Sequence, residues 1–307
     1  MQTDFLQQNI LRTLLYYDIF DYPLKDEEVF KFLPENSISQ TDFKNQLKTI
    51  CHEPDSVIRE HNGYVFLEPK KNLVSQRLER EYISFRKWKT AKRVTTLIKN
   101  FPFVRAVFIS GSLSKNNSDK KADLDFMLIT APSRLWICRS LLMLFKKTFL
   151  FNSYKYFCIN YLITEDNLEI EEKNIFTATE IAYIKSTYNS GLMNKFIASN
   201  LWIKNYFPNY TEGDETLHGT PVKISNCSCF LRKILEVPFK GKFGDWLETK
   251  LLHQTVRHWK KKYSHISDEE REQMFKSTMK ESKTHPHNMQ KKILEMYNEK
   301  LKQFNLG

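Results

Sequence analysis

Residues 104–129 read VRAVFISGSLSKNNSDKKADLDFMLI, and this stretch decides the fold. An apolar run from Val104 to Ile109 reaches Ser110-Gly111-Ser112. Ten residues then separate Ser112 from Asp123-Leu124-Asp125, and Phe126 to Ile129 is again apolar. Short apolar runs bounded by turn residues read as buried strands, so the expected order is strand, Gly-Ser turn, loop, strand. On a strand, alternate side chains share a face. If the second strand spans 123–129, Asp123 and Asp125 project together, about 6–7 Å apart, while Leu124 and Phe126 enter the core. Two carboxylates so placed suit hard divalent cations, and Mg²⁺ is typically held by one or two carboxylates plus phosphate oxygens. Gly111 lets backbone come close to a phosphate, and Ser112 offers a hydroxyl and an N–H at the expected start of a helix.

Working outward, Arg134 to Phe149 reads as a buried helix and Tyr156 to Ile163 as a third strand. Upstream, Asn72 to Lys99 reads as one long helix. Val74, Leu78, Tyr82, Phe85, Trp88, Ala91, Thr95 and Ile98 recur at three- and four-residue steps and form its expected inward stripe. The first seventy residues read as three short helices, around Asn9–Phe20, Asp26–Leu33 and Ser39–Ile50, followed by a hairpin. Ser39 is the expected cap of the third helix, with Asp42 three residues on. Asn62-Gly63 between two apolar runs is a strong hairpin signal. That order resembles a winged helix-turn-helix. After Ile163 the chain reads as helices at Thr177–Tyr188, Leu192–Tyr206, Phe230–Tyr263 (interrupted near Pro238 and Gly241–Gly244), Asp268–Lys280 and Pro286–Phe304, with a polar linker across 209–228. The expected fold class is α+β: a mixed-sheet core flanked by helices, with domains at 1–70, 71–190 (including the basic leading helix) and 191–307.

At Gly111-Ser112 and Asp123-Leu124-Asp125 the sequence resembles the DNA polymerase β-like nucleotidyltransferase superfamily. The specific match covers about thirty residues, and the looser one, with flanking elements, about 72–190. The layout also looks like that of bacterial nucleotidyltransferase-domain proteins with a winged-helix-like segment ahead of the transferase. The resemblance implies that Gly111 and Ser112 bind nucleotide phosphates and that Asp123 and Asp125 are catalytic ligands to Mg²⁺ (or Mn²⁺). It implies transfer of a nucleoside monophosphate from an NTP, with ATP the expected donor, to an acceptor hydroxyl on a small molecule, protein or RNA, releasing pyrophosphate. The chain departs from the pattern at one point. Many active members carry a third carboxylate on a later strand, whereas Tyr156–Ile163 offers only Asn160, an amide that cannot serve as a base. Glu165 at that strand's end is the candidate substitute. A catalytically silent nucleotide-binding regulator, and a nucleic-acid-binding protein using the winged helix, therefore stand as alternative readings.

The net charge is +11. Residues 70–99 carry ten Lys/Arg against Glu79 and Glu81, and residues 240–307 carry fifteen against nine acids. Such stretches suit nucleotides or nucleic acid, and solvated Lys-rich helix faces explain them equally well. Lys115, Lys120 and Lys121, in the loop after Gly-Ser, are candidate phosphate contacts. Trp246, Leu247, Leu251, Val256 and Trp259, beside Lys260-Lys261-Lys262, form a basic amphipathic helix expected to pack on the core. His253, His258 and His265 lack metal-pair spacing, and His285-Pro286-His287 reads as a helix start. Ser112 and Ser114 lack a nucleophile elbow. Five scattered cysteines, with Cys227 and Cys229 too close for a CxxC hairpin, suggest reduced thiols. The apolar stretch Leu135–Phe151 is broken by Arg139, Lys146 and Lys147, so no membrane span is expected. A leader is not apparent, and the expected compartment is the cytoplasm.

Overall fold

Two sheets organise the chain in the computed structural model, which describes residues 2–35, 38–68, 72–151, 155–211, 226–284 and 288–306. The fold class is α+β. The His285-Pro286-His287 helix start, most of the 209–228 linker, Lys70, Lys71 and the side chains of Cys227 and Cys229 lie outside what is described.

The N-terminal part runs α1 (Gln2–Asp18), β1 (Leu24–Lys25), α2 (Asp26–Lys31), α3 (Gln40–His52), β2 (Ile58–His61) and β3 (Tyr64–Leu67). Ser39 caps α3 as expected, accepting from the Asp42 amide at 3.1 Å. Asn62 and Gly63 take φ of 52° and 77°, the paired positive values of a two-residue hairpin turn, and His61 sits opposite Tyr64. The two-residue β1, not foreseen, adds to β3 and makes a sheet ordered β1-β3-β2.

Then follow α4 (Leu73–Ile98), β4 (Val104–Ile109), the one-turn α5 (Gly111–Ser114), β5 (Asp125–Thr130), α6 (Leu135–Phe149), β6 (Cys158–Thr164), α7 (Ile175–Tyr183), β7 (Lys185–Tyr188) and α8 (Ser190–Ser199). After a 3₁₀ turn at Leu201–Asn205 come α9 (Asn226–Glu236), α10 (Gly241–Lys262), α11 (Asp268–Met274), β8 (Glu281–Lys283) and α12 (Met289–Gln303). The second sheet is ordered β7-β4-β5-β6-β8. β5 is antiparallel to β4 and parallel to β6, and α6 makes the crossover between β5 and β6.

Alternation along the central strands divides the core by sheet face. Val107, Ile109, Phe126, Leu128 and Leu162 pack with Trp88 of α4, Trp136 of α6 and Leu252 of α10. Ala106, Phe108, Met127, Ile129 and Ile163 face the other way, into a core shared by α1, α7, α8 and α12. The N-terminal residues Leu14, Tyr17, Phe32 and Val65 belong to that second core.

Four expectations need correction. The strand predicted to start at Asp123 begins at Asp125, so Asp123 belongs to the incoming loop. The predicted helix 177–188 ends at Tyr183, and Lys185–Tyr188 pairs with β4. The predicted helix 268–280 ends at Met274, and Glu281–Lys283 pairs with β6. The stripe on α4 is also rolled. Leu78, Tyr82 and Phe85 are 50%, 62% and 77% exposed, while Arg77 and Ser84 are buried. Arg77 turns inward because it meets Glu28 (3.1 Å) and Glu81 (2.8 Å) and lies 3.7 Å from the Tyr22 ring centroid. Ser84 turns inward to accept from the Ser118 amide at 3.0 Å. These polar contacts set the rotation of the helix where its apolar periodicity is ambiguous.

The C-terminal helices are fastened by buried acids. Glu248 of α10, fully buried, accepts from the first amides of α6, Trp136 N at 2.7 Å and Ile137 N at 2.9 Å. Glu236 of α9 accepts from Phe103 N at 2.7 Å and pairs with Arg105 at 2.8 Å. Among the described residues, no helix is long and apolar enough to cross a membrane.

Candidate active site

Gly111 sits where β4 leaves the sheet, with φ of +64°, a conformation that glycine adopts without the cost of a Cβ. A Cβ there would also fall closer than 3.0 Å to Asp125 Oδ2. The glycine therefore lets the turn pass directly over the second carboxylate of the Asp-x-Asp. The ladder continues under it, with Ser110 N donating to Asp125 O at 3.1 Å. Ser112 follows, its hydroxyl 3.1 Å from that of Ser118. α5 is a single turn, so Ser112 offers its own N–H and hydroxyl more than a helix dipole.

Asp125 shares its parity with Met127 and Ile129 and so projects from the sheet face that α1, α7 and α12 cover. On β6 the register shifts: Phe126 pairs with Ile159 but Met127 pairs with Tyr161. Asn160 is the extra residue of this bulge, and its amide donates to Asp125 Oδ1 at 3.1 Å. Burial pushes the Asp125 carboxyl up to about 6; the charges of Glu180 and Asp123 act in the same direction, against the Cys158 thiol and Lys115.

Asp125, Asn160, Gly111, Ser112 and Lys115 line one cavity of about 460 Å³. Asp123 does not line it. It is half-buried at the loop end, and its charge acts on Lys87, Lys146 and Cys158. Burial depresses the pKa of both lysines, and Asp123 partly offsets this. Lys87 also donates to Ala122 O at 2.5 Å and Ser118 Oγ at 3.3 Å, so α4 shapes the loop between Gly-Ser and Asp-x-Asp.

Of the three loop lysines, Lys115 alone reaches the cavity wall. Lys120 is 80% exposed beside Glu79, and Lys121 is exposed. Lys115 pairs with Glu180 at 2.6 Å and lies 3.4 Å from Gly111 O; its own carbonyl accepts from Tyr22 OH at 2.6 Å. Glu180, from α7, was not singled out in the sequence. It lies in an apolar helix far along the chain from Asp125, and only the position of α7 over the sheet reveals it. Glu165 cannot play the substitute role. Its amide pairs with Thr130 O at the end of β5 away from Asp125, about 16 Å along the strand.

Elsewhere the basic stretches are partly consumed internally. Arg77 is buried, Arg80 donates to Phe20 O, Asp21 O and Asn117, and Lys44 of α3 pairs with Asp26 at 3.1 Å. His253, His258 and His265 are exposed, and no three His, Cys, Asp or Glu side chains are grouped as a metal site among the described residues. Trp259 of α10 stacks on Phe275 at 4.5 Å, whereas Trp246 is 55% exposed.

No protein-family model matches the chain, and no curated protein or solved structure matches it.

Proposed function

We propose that this chain is a nucleotidyltransferase that moves a nucleoside monophosphate from an NTP, ATP being the expected donor, to an acceptor hydroxyl. The observation that carries the reading is the crossing of Gly111 over Asp125. A backbone turn free of side chain, a serine and a lysine meet an acid on one cavity wall, which joins an anion cradle to a candidate cation ligand. With no third protein ligand grouped nearby among the described residues, two carboxylates plus phosphate oxygens and water make up the donor set, which fits Mg²⁺. Asp123 and Asp125 would hold it, and when bound it would supply neutralisation of the phosphate charge.

The remaining roles fall to the chain's own groups. Gly111 N–H, Ser112 and Lys115 bind phosphate oxygens. The acceptor oxygen forms a bond to the α-phosphorus as the bond to the pyrophosphate oxygen breaks, and the acceptor proton passes to Glu180. Glu180 pairs with Lys115 at 2.6 Å and is released for this role when Lys115 turns to the phosphates. Asp125 is bonded to Asn160, and Glu172 lies 3.6 Å from Lys283 and 3.8 Å from Lys276.

The Asn160–Asp125 contact also favours a second reading, a nucleotide-binding regulator without turnover. Calorimetry and pyrophosphate release with each NTP and Mg²⁺, on wild type and on the Asp123→Ala/Asp125→Ala variant, separate the two. Binding lost in the variant together with pyrophosphate release supports the transferase, and binding without release supports the regulator. No binding of any NTP sinks both.

A further inference from the structure

The cavity is chemically divided. One end carries Gly111, Ser112, Lys115, Asp125 and Glu180. Much of the remaining wall is aromatic and aliphatic: Tyr16 of α1 and Phe20 just after it, Phe176 and Ile181 of α7, and Met289 and Ile293 of α12. A triphosphate carries several negative charges and gains nothing from a phenylalanine-lined wall, since an unpaired charge is costly in apolar surroundings. The Gly111 turn, Ser112 and Lys115 therefore take the triphosphate, and the apolar part of the cavity is left to the other reactant.

We infer that the chamber between α1, α7 and α12 binds an acceptor with an aromatic or branched aliphatic body, whose hydroxyl points at Asp125 and Glu180. This rests on the transferase reading for the word acceptor, but the chamber's preference for an apolar alcohol stands on its lining alone. A void of about 460 Å³ is in the range of small-molecule sites, which are mostly apolar with few polar groups fixing orientation. Its charged groups form two clusters, Lys115, Asp125 and Glu180 around the Gly111 turn and Glu172 and Lys283, with Gln290, beside α12. The wall hydroxyls of Tyr161 and Thr179 already donate to Glu281 and Ile175 O. Lys283 bonds Gln290 at 3.2 Å and lies 3.6 Å from Glu172, so that cluster is paired within the protein. At the other, Asn160 holds Oδ1 of Asp125, and Oδ2, beside the Gly111 turn, is the acceptor offered to a ligand hydroxyl. A polyol such as glycerol would leave its hydroxyls unpaired against the aromatic wall.

The test uses the full chain and two probes, 2-phenylethanol and glycerol. Saturation-transfer NMR and calorimetry measure their affinities without nucleotide, and Mg–ATP affinity is measured separately. The expected result is 2-phenylethanol bound at least ten-fold more tightly than glycerol. Met289→Lys, at a half-exposed wall position, should weaken it ten-fold or more, and Ile293→Trp, which fills the chamber, should do the same, with circular dichroism confirming that each variant is folded. With Mg–ATP present, 2-phenylethanol should raise pyrophosphate release above the water background and glycerol should not. Equal affinity for the two alcohols, or 2-phenylethanol binding that neither folded variant weakens, overturns the inference, and intact Mg–ATP binding in the same samples leaves the transferase reading standing. Selective 2-phenylethanol binding without any Mg–ATP binding supports the chamber and sinks the transferase instead.

Discussion

The side-chain amide of Asn160 donates to Asp125 Oδ1 at 3.1 Å across a bulge in β6. Asn160 has the parity of Cys158, the partner of Asp125, and the bulge after it brings Tyr161 to the same cavity as well. The contact satisfies one oxygen of Asp125 and leaves Oδ2 under the Gly111 turn.

That buried acid makes stability depend on pH. Asp125 titrates near 6 when folded against an ordinary value of 3.8. Below pH 3.8 it is protonated in both states and costs nothing. As pH rises through 6 the folded state loses stability, because the unfolded chain ionises more readily, and the full cost is about 3 kcal/mol. Asp125→Asn should therefore match wild type near pH 4 and exceed it by about 2–3 kcal/mol at pH 8, while abolishing transfer. Urea denaturation with EDTA at both pH values checks this; a difference that does not change with pH would count against it.

Gly111→Ala should cost about 1–2 kcal/mol from the left-handed backbone alone, and more from the clash with Asp125. Because the clash displaces the carboxylate, Mg–NTP binding should fall with it. Thermal melts and calorimetry on the same sample read both effects. A variant that melts early yet binds nucleotide normally would separate the turn from the site.

Glu180→Gln keeps a partner for Lys115 but cannot take a proton. Pyrophosphate release should slow by about 10²–10⁴-fold with NTP affinity little changed, and the acidic limb of the pH–rate profile should disappear. An unaltered profile with weakened NTP binding would make Glu180 an anchor for Lys115 only.

Removing Glu248 by Glu248→Ala orphans two buried amides at the start of α6 and should cost about 3 kcal/mol. Glu248→Gln, which retains one carbonyl acceptor, should cost less. Denaturant midpoints compared at matched slopes give the measurement.

Arg77→Met takes the guanidinium from Glu28, Glu81 and the Tyr22 ring. Because Glu28 keeps Lys25 N and Glu81 keeps Lys25 and Tyr64, the cost should fall at the low end of the range for a one-sided break in a buried pair, about 3–5 kcal/mol. Adding Glu28→Gln and Glu81→Gln should recover part of the loss. Failure of the triple variant to recover any would assign the cost to packing.

Local chemistry was legible in the sequence. Asn62-Gly63 specified its hairpin, Ser39 its cap and the Phe126–Ile129 run a central strand, because each depends on neighbours along the chain. What misled were positions governed by distant partners. α4 looked as though Leu78, Tyr82 and Phe85 faced inward, but Glu28, some fifty residues earlier, claims Arg77 and rolls the helix. β7 was read as a helix end and β8 was not foreseen, because each is short and its pairing partner lies far away in the chain. Spacing put Gly111, Ser112 and Asp125 side by side, as the cavity does, whereas Asp123 was placed on a strand that begins two residues later. Glu180 carried no local signal, since its placement depends on how α7 crosses the sheet.

α1 and α12 meet through Tyr297 OH donating to Arg12 O at 3.2 Å, Lys300 beside Asp18 at 2.7 Å, and the edge-on Tyr16–Tyr297 rings. Both helices line the chamber next to Asp125. During synthesis this imposes an order of events. When residue 288 leaves the ribosome, the Gly111 turn and the acid beneath it already exist, yet the chamber has no far wall. The apolar flank of α1 must wait, uncovered, for a helix nearly three hundred residues downstream. Such long-range closure is slow, and a nascent chain in that interval is a natural client for chaperones. A polypeptide that stops short of α12 cannot enclose a ligand there, so the pocket is completed only when that helix docks.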